Sequence, residues 1–303
     1  MTPSELSDLA MVVATNGYLI AFVLHSVEWA RARGLGTERA EDGSEDKARV
    51  SVDLFGRLAL AVTVVAFVTH VAAVVFRGIA AERMPWGNMY EFSTTSLAFV
   101  VLIYLICAFA FGMRWLGLGV TLIVTVFMGL AVTVFYVDVA PLVPALHSVW
   151  FVVHIVLATV AGAAFNVGAV ASVLYLLRNA AEAKAEAAGG EVTGFLARVP
   201  VSTRLDLFAY RLHAFGFPLW TFAVTAGAIW AQYAWGRFWD WDPKETWSFV
   251  TWVIYAAYLH ARLTAGWRGR PAACIALIGV VSFWWNFVGV NLLMDGMHSY
   301  SGI

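Results

Sequence analysis

Charge is what this 303-residue chain has least of. Only 13% of its residues are charged, against 61% hydrophobic, and the mean hydropathy is +0.76. Soluble domains carry about a quarter charged residues, so the composition excludes a soluble enzyme or binding module and specifies an integral membrane protein. The net charge is −1 and no basic block occurs, which removes nucleic acid as a partner. Cysteine is nearly absent. Cys107 and Cys274 each stand alone in an apolar run, so neither a disulfide framework, a C-x-x-C redox pair nor a thiolate zinc site is available. The opening MTPSELSD has no positive stretch ahead of its apolar run, so that run is expected to remain as a membrane helix. No internal repeat and no soluble domain are visible; residues 1–303 read as one integral membrane unit.

What the chain does have is long apolar runs. A span needs about 20 mostly apolar residues, and eight stretches qualify: 9–30, 54–77, 92–112, 115–136, 149–177, 215–234, 247–265 and 272–293. The expected fold is therefore an all-α polytopic bundle of about eight transmembrane helices. Basic residues in short loops mark the cytoplasmic side. All Lys and Arg except Arg77, Arg83, Arg237 and Lys244 fall in or beside the joints after the first, third, fifth and seventh spans. Both termini are thus expected outside the cytoplasm of a bacterial cell, with the chain multi-pass in the plasma membrane. The 31–53 segment reads as a flexible cytoplasmic connector, and the Ala/Glu-rich 179–204 segment as a partly helical cytoplasmic loop.

That orientation puts four unusual segments on one extracytoplasmic face: RMPWGNMYE, YVDVAPLVPALHS, WGRFWDWDPKETWS and the tail MDGMHSYSGI. The third, residues 235–248, holds Trp235, Trp239, Trp241 and Trp247 among five charged side chains. An interfacial aromatic belt accounts for Trp115, Trp150 and Trp267. It does not account for Arg237, Asp240, Asp242, Lys244 and Glu245 between the rings. Asp242-Pro243 also suits a helix start, with Asp at the N-cap and Pro at the first helical position. A flat apolar ligand edged with carboxylates fits such a platform, and a haem has that shape: its macrocycle lies on tryptophan faces while its propionates meet a cation. Arg237 is the first candidate cation, with Lys244 and Arg83 beside it.

Haem needs axial ligands, most often histidine, and ionisable side chains in spans are functional candidates. His154, near the outer end of the fifth span, and His298, just past the eighth, both fall on the platform side. His147 precedes His154 by two helical turns and is the reserve outer ligand. His260 closes the seventh span on the opposite side, as a helix cap or an inner haem ligand. His70 remains open between ligand, hydrogen-bonding strut and proton carrier. His25 and His213 read as structural or surface side chains. A bis-histidine electron carrier places two histidines thirteen or fourteen residues apart on each of two helices, and no span here has such a pair.

With these residues in view, the sequence resembles the CcsA/ResC type of cytochrome c biogenesis protein, the WWD-domain haem-handling family of System II. WGRFWDWDPKETWSFVTWVIYAAYLHARL is similar to the family's Trp-rich signature, with Asp240 where a small residue is common. RMPWGNMYEF resembles its P-x-x-N-x-Y-E segment, which adds Asn88 and Glu91 as candidates. LVPALHSVWFVVH and GVNLLMDGMHSY resemble the two histidine segments, with His147 replacing what is often a polar amide. The resemblance implies bound haem b, His154 and His298 as outer axial ligands, Trp235–Trp247 with Asp242 as the haem platform, and His260 as ligand of an inner site. It also implies attachment of haem to the Cys-x-x-Cys-His motif of an apocytochrome c, as a subunit of a synthase with a ResB-type membrane partner; an extracytoplasmic thiol reductase is a further expected partner. An exporter of haem without ligation chemistry and a haem-containing redox subunit are the alternatives.

Overall fold

The computed structural model describes residues 1–33, 35, 43–141 and 144–298. Among these residues there is no strand. Five long helices and two shorter ones answer the apolar runs: α1 (Pro3–Arg31), α2 (Gly43–Ala81), α3 (Met89–Ala110), α4 (Gly117–Thr133), α5 (Val149–Ala187), then, after the single turn α6 (Phe195–Arg198), α7 (Ser202–Trp235), and finally α9 (Arg270–Trp284). Between the last two runs α8 (Pro243–Leu263), and beyond α9 a π-helical turn, Trp285–Gly289, leads into the short α10 (Val290–Leu293).

Helix starts are written locally. Thr2 and Glu5 form a capping box at α1, Asn88 accepts the Glu91 N–H at the start of α3, and Ser148 caps α5. At α8, Asp242 is the N-cap, Pro243 follows it and Glu245 returns a bond to the Asp242 N–H, the reciprocal arrangement that satisfies two free helix donors. α7 ends where Gly236 takes φ 73°, a left-handed cap that glycine enters without strain.

Among the described residues seven helices are long and apolar enough to cross a membrane, which makes the protein a multi-pass membrane protein. The eighth expected span, α8, is not among them. Its 21 residues include Trp, Tyr, Lys, Glu, His and Arg, which lower its hydropathy without shortening it. It nonetheless runs the full depth of its neighbours. Its start meets the tail, Met297 N–H donating to Asp242 at 2.7 Å; Thr251 pairs with Ser282 at 2.8 Å; its end reaches Asp206 near the start of α7, where Arg262 makes two bonds of 2.6 and 2.9 Å.

Three helices overrun their expected spans. α2 is already helical at Gly43, so the second part of the 31–53 connector is helix, while residues 34 and 36–42 lie outside the described residues. α5 continues to Ala187 and α7 begins at Ser202, which leaves little of 179–204 as loop. Ala, Glu, Arg and Leu are strong helix formers, so these helices continue past the apolar stretch that hydropathy detects.

Two cores result. One joins α1–α4 around Tyr18, Leu97, Tyr104 and Val124; the other joins α5, α7, α8 and α9 around Phe165, Trp220, Tyr255 and Phe283. Small residues bring the helix pairs close: a Cβ on Gly17 would lie 2.8 Å from that of Ala66, and one on Gly216 would lie 2.6 Å from the Phe165 ring. Trp284 stacks on Phe127 at 3.4 Å and donates to Asn166 at 2.9 Å, joining α9 to α4 and α5.

Candidate functional site

The four segments expected on one face converge at one end of the bundle. Glu91, fully buried at the start of α3, is the hub of the first joint. It accepts from Arg77 at 3.1 Å, from Arg83 at 2.7 Å and from the Gly87 N–H at 2.8 Å. The two arginines also donate to the Val137 and Ala140 carbonyls, tying RMPWGNMYE to the segment after α4. Trp230 near the end of α7 donates to the Ala145 carbonyl at 2.7 Å. Asp242 then secures the C-terminal tail through Met297 N–H and the His298 ring. The N-terminus of α1 is at this end too, since Ser7 donates to Ala73 and Tyr136 to Asp8.

These segments enclose an apolar cleft with about 1090 Å³ of empty space, its mouth included. Trp86, Gly87 and Asn88 form one wall; Phe151, His154 and Ile155 of α5 face Trp220, Gly227 and Trp230 of α7; Trp239, Lys244 and Glu245 close it with Phe283, Asn286, Phe287 and His298.

Both expected outer histidines line the cleft, and both have one nitrogen committed. His154 Nδ1 lies 2.7 Å from the Ala223 carbonyl. A carbonyl only accepts, so this nitrogen carries the proton and the lone pair resides on Nε2. The ring occupies the space left by Gly227, where a Cβ would approach it to 2.8 Å. His298 Nδ1 lies 3.0 Å from Asp242 Oδ1. Burial pushes the Asp242 carboxyl up, but the bonds from His298, Met297 and Lys244 N–H outweigh it and hold it at about 2. Asp242 is therefore an ionised acceptor at neutral pH, and His298 also presents Nε2. Carboxylate and carbonyl partners of this kind orient metal-binding histidines. Trp230 lies beside both rings, 6.2 Å from His154 and 5.5 Å from His298, and Trp235 is 4.7 Å from His298.

The Trp-rich segment divides in three. Trp239 lines the cleft and Trp235 backs His298. Trp241 is 65% exposed, at φ 58°, edge-on to Trp239. Trp247 turns toward Trp285. The charges between the rings shape the turn: Glu245 accepts from Asp240 N–H, Asp242 N–H and Arg237, while Arg237 also lies 3.6 Å from Asp240.

Other expected residues lie elsewhere. His260 is exposed at the far end of α8. His70 is fully buried between α1 and α2, 3.1 Å from the Tyr18 hydroxyl. His147 is exposed, its N–H bound to Pro144 O. Trp230, Gly227, Trp86 and Asn286 were not singled out in the sequence. Among the described residues no three His, Cys, Asp or Glu side chains group to hold a bare metal ion.

Comparison with known proteins identifies the family. The family model described as cytochrome C assembly protein matches residues 86–298, the interval that supplies every cleft-lining residue. The cytochrome c biogenesis protein CcsA of Gloeobacter violaceus is 35% identical over 82% of this chain and 88% of its own length. That of Microcystis aeruginosa is 32% identical over 98% of both, and that of Guillardia theta 35% identical over 78% and 83%. The chain is therefore a CcsA-type member of the cytochrome c assembly protein family.

Proposed function

We propose that this chain acts in cytochrome c biogenesis by holding haem b in the cleft and presenting it for attachment to apocytochrome c, as a subunit of a synthase with a ResB-type membrane partner. The observation that carries the reading is the histidine pair: two imidazoles from distant segments, each tied through Nδ1, flank Trp230 in one apolar cleft. The donor set fits. Iron in a haem takes neutral imidazole nitrogen, and the apolar lining suits the macrocycle.

When bound, haem supplies two vinyl groups, each of which takes one sulfur and one proton from an apocytochrome thiol. The chain's own part is positioning, which supplies much of what an addition between held partners needs. His154, mid-wall on α5, and His298, on the tail, fix the metal. Trp239 presents its ring to the cleft, and Trp230 and Trp235 limit the play of the histidines. Glu91 keeps Trp86–Asn88 in place through its three bonds, and Glu245 does the same for the Trp-rich turn. Asp242 charges the His298 hydrogen bond and so raises the basicity of its Nε2. The cleft end is extracytoplasmic in this reading, because it holds only Arg77, Arg83, Arg237 and Lys244, whereas the opposite joints hold all the other Lys and Arg of the chain, as on the cytoplasmic side of a bacterial plasma membrane. His260 would belong to an inner site that the partner completes.

The test is the visible spectrum of the chain purified with its partner, wild type beside His154→Ala/His298→Ala, together with cytochrome c maturation in cells. The expected result is a low-spin reduced spectrum that collapses in the double variant, with maturation abolished. An unchanged spectrum places the haem elsewhere. A collapsed spectrum with intact maturation refutes the attachment role and leaves haem export without ligation.

A further inference from the structure

Three buried side-chain atoms of residues that line the cleft have no hydrogen-bond partner among the described residues: Lys244 Nζ, Trp239 Nε1 and Asn286 Oδ1. Buried polar atoms are nearly always partnered, so three in one cavity point to a ligand that completes them. The cations around the cleft differ in this respect. Arg77 and Arg83 are bonded to Glu91, and Arg237 to Glu245 with Asp240 near it. Lys244 Nζ has no hydrogen bond among the described residues and lies 5.5 Å from the centre of the Phe287 ring. The carboxylates beside it in sequence are committed: Asp242 accepts from the His298 ring, Met297 N–H and the Lys244 backbone N–H, and Glu245 from Arg237 and the Asp240 and Asp242 N–H groups. Lys244 Nζ is thus a buried amine with no hydrogen-bonded anion among the described residues.

Asn286 reaches the same cavity by an irregularity. It sits in the π turn Trp285–Gly289, is 6% exposed, and lines the cleft. π turns inside α-helices commonly mark functional sites. The oxygen and nitrogen of its amide are set by what they meet, so the group presents N–H to an anion as readily as C=O. An ammonium, an indole N–H and an amide together match the two oxygens of one carboxylate, with charge-assisted bonds at the ammonium.

We propose that Lys244, with Trp239 Nε1 and Asn286, forms a carboxylate subsite inside the cleft that takes one propionate of the haem. The proposal rests on the haem reading above and selects Lys244 over Arg237 and Arg83, which are bonded to Glu245 and Glu91 and do not line the cleft. Arg237 and Arg83 are frame residues of the cleft wall.

The experiment is a titration of the full chain in detergent, followed at the Soret band, with haem b and with its dimethyl ester, which keeps the iron and vinyl groups but carries no free carboxylate. Wild type is expected to bind haem about tenfold or more tighter than the diester, the factor that a charge-assisted bond contributes. Lys244→Met is expected to lower haem affinity to that of the diester while still binding the diester with a low-spin spectrum, which also shows that the variant is folded. Lys244→Arg is expected to recover part of the preference, and Arg237→Gln to retain it. Equal binding of haem and diester by wild type, or a preference that survives Lys244→Met, overturns the subsite and leaves the haem reading standing. Binding of neither compound by wild type overturns both.

Discussion

The two ends of the α5–α7 pair carry the same device and differ in what surrounds it. At one end His154 of α5 rests against Gly227 of α7; at the other His213 of α7 rests against Gly168 of α5, where a Cβ would come within 2.7 Å of the ring. On each helix the histidine and the glycine are fourteen positions apart, about 21 Å along an α-helix. His154 is anchored through Nδ1 and faces a cleft. His213 is fully buried, 3.4 Å from Ser172 Oγ, with Phe165, Tyr255 and Tyr258 packed around its ring. A buried histidine set against a glycine is therefore not in itself a site. Empty space beyond the ring, through which a ligand could reach its nitrogen, is what separates the two ends.

The strongest way to test that contrast is to release the second histidine of the cleft. Asp242→Ala removes the bonds to His298 and Met297 and the α8 N-cap together. Loss of a cap costs about 1 kcal/mol, and a bond to a charged group contributes about 1.5–3 kcal/mol. The expected outcome is loss of the low-spin haem spectrum and at least a tenfold fall in cytochrome c maturation. Asp242→Asn, which keeps an N-cap and an acceptor, is expected to retain part of both. Full activity in the alanine variant would show that the tail is held by something other than Asp242.

Next in size is the glycine exchange, which sets the two ends directly against each other. Gly227→Ala drives a methyl into the His154 ring and is expected to shift the haem spectrum and lower maturation severalfold. Gly168→Ala meets His213 just as closely and is expected to lower thermal stability, by about 1–3 kcal/mol as overpacked cores do, with the spectrum of the remaining folded protein unchanged. Matching spectral shifts from both variants would abolish the distinction drawn here.

What was legible in the sequence follows the same division. Polar residues in loops and caps stood out against an apolar background, so the common location of His154 and His298 and the Asp242–Pro243 helix start could be read directly. The convergence of four distant segments at one end follows from span parity, and the structure shows it. Trp230, Gly227 and Asn286 could not be found that way, because in GAIWAQYAW and SFWWNFVG they look like ordinary membrane-helix residues; only the opposite helix reveals what each one faces. Hydropathy also misjudged lengths. It detects apolar character rather than helix, so α2, α5 and α7 extend beyond it and α8, rich in Trp and Tyr, falls below it.

His260 gives a smaller expected effect on the same readout. It lies at the opposite end of α8 from Asp242 and is exposed, so His260→Ala is expected to leave the spectrum of haem loaded directly into the cleft unchanged. If the partner completes an inner site there, the variant instead lowers the amount of haem that co-purifies from cells. Reconstitution beside co-purification separates the two, and a changed spectrum after reconstitution would mean that the ends are coupled through α8.

The smallest effect is expected at His147, two turns before His154 yet outside its helix. α5 begins at Val149 because Ser148 caps it, and the Pro144–Leu146 turn places His147 at the surface. The helical register that would have stacked the two histidines on one face is therefore not formed. His147→Ala is expected to leave spectrum and maturation unchanged. The sharper form uses the His154→Ala background, where a reserve ligand would have to act. If low-spin haem persists in His154→Ala and disappears only when His147 is also removed, the segment before α5 can rewind to bring His147 inward. The expected result is no further change, because such a rewinding would have to break the Ser148 cap and the Trp230–Ala145 bond that holds this wall of the cleft.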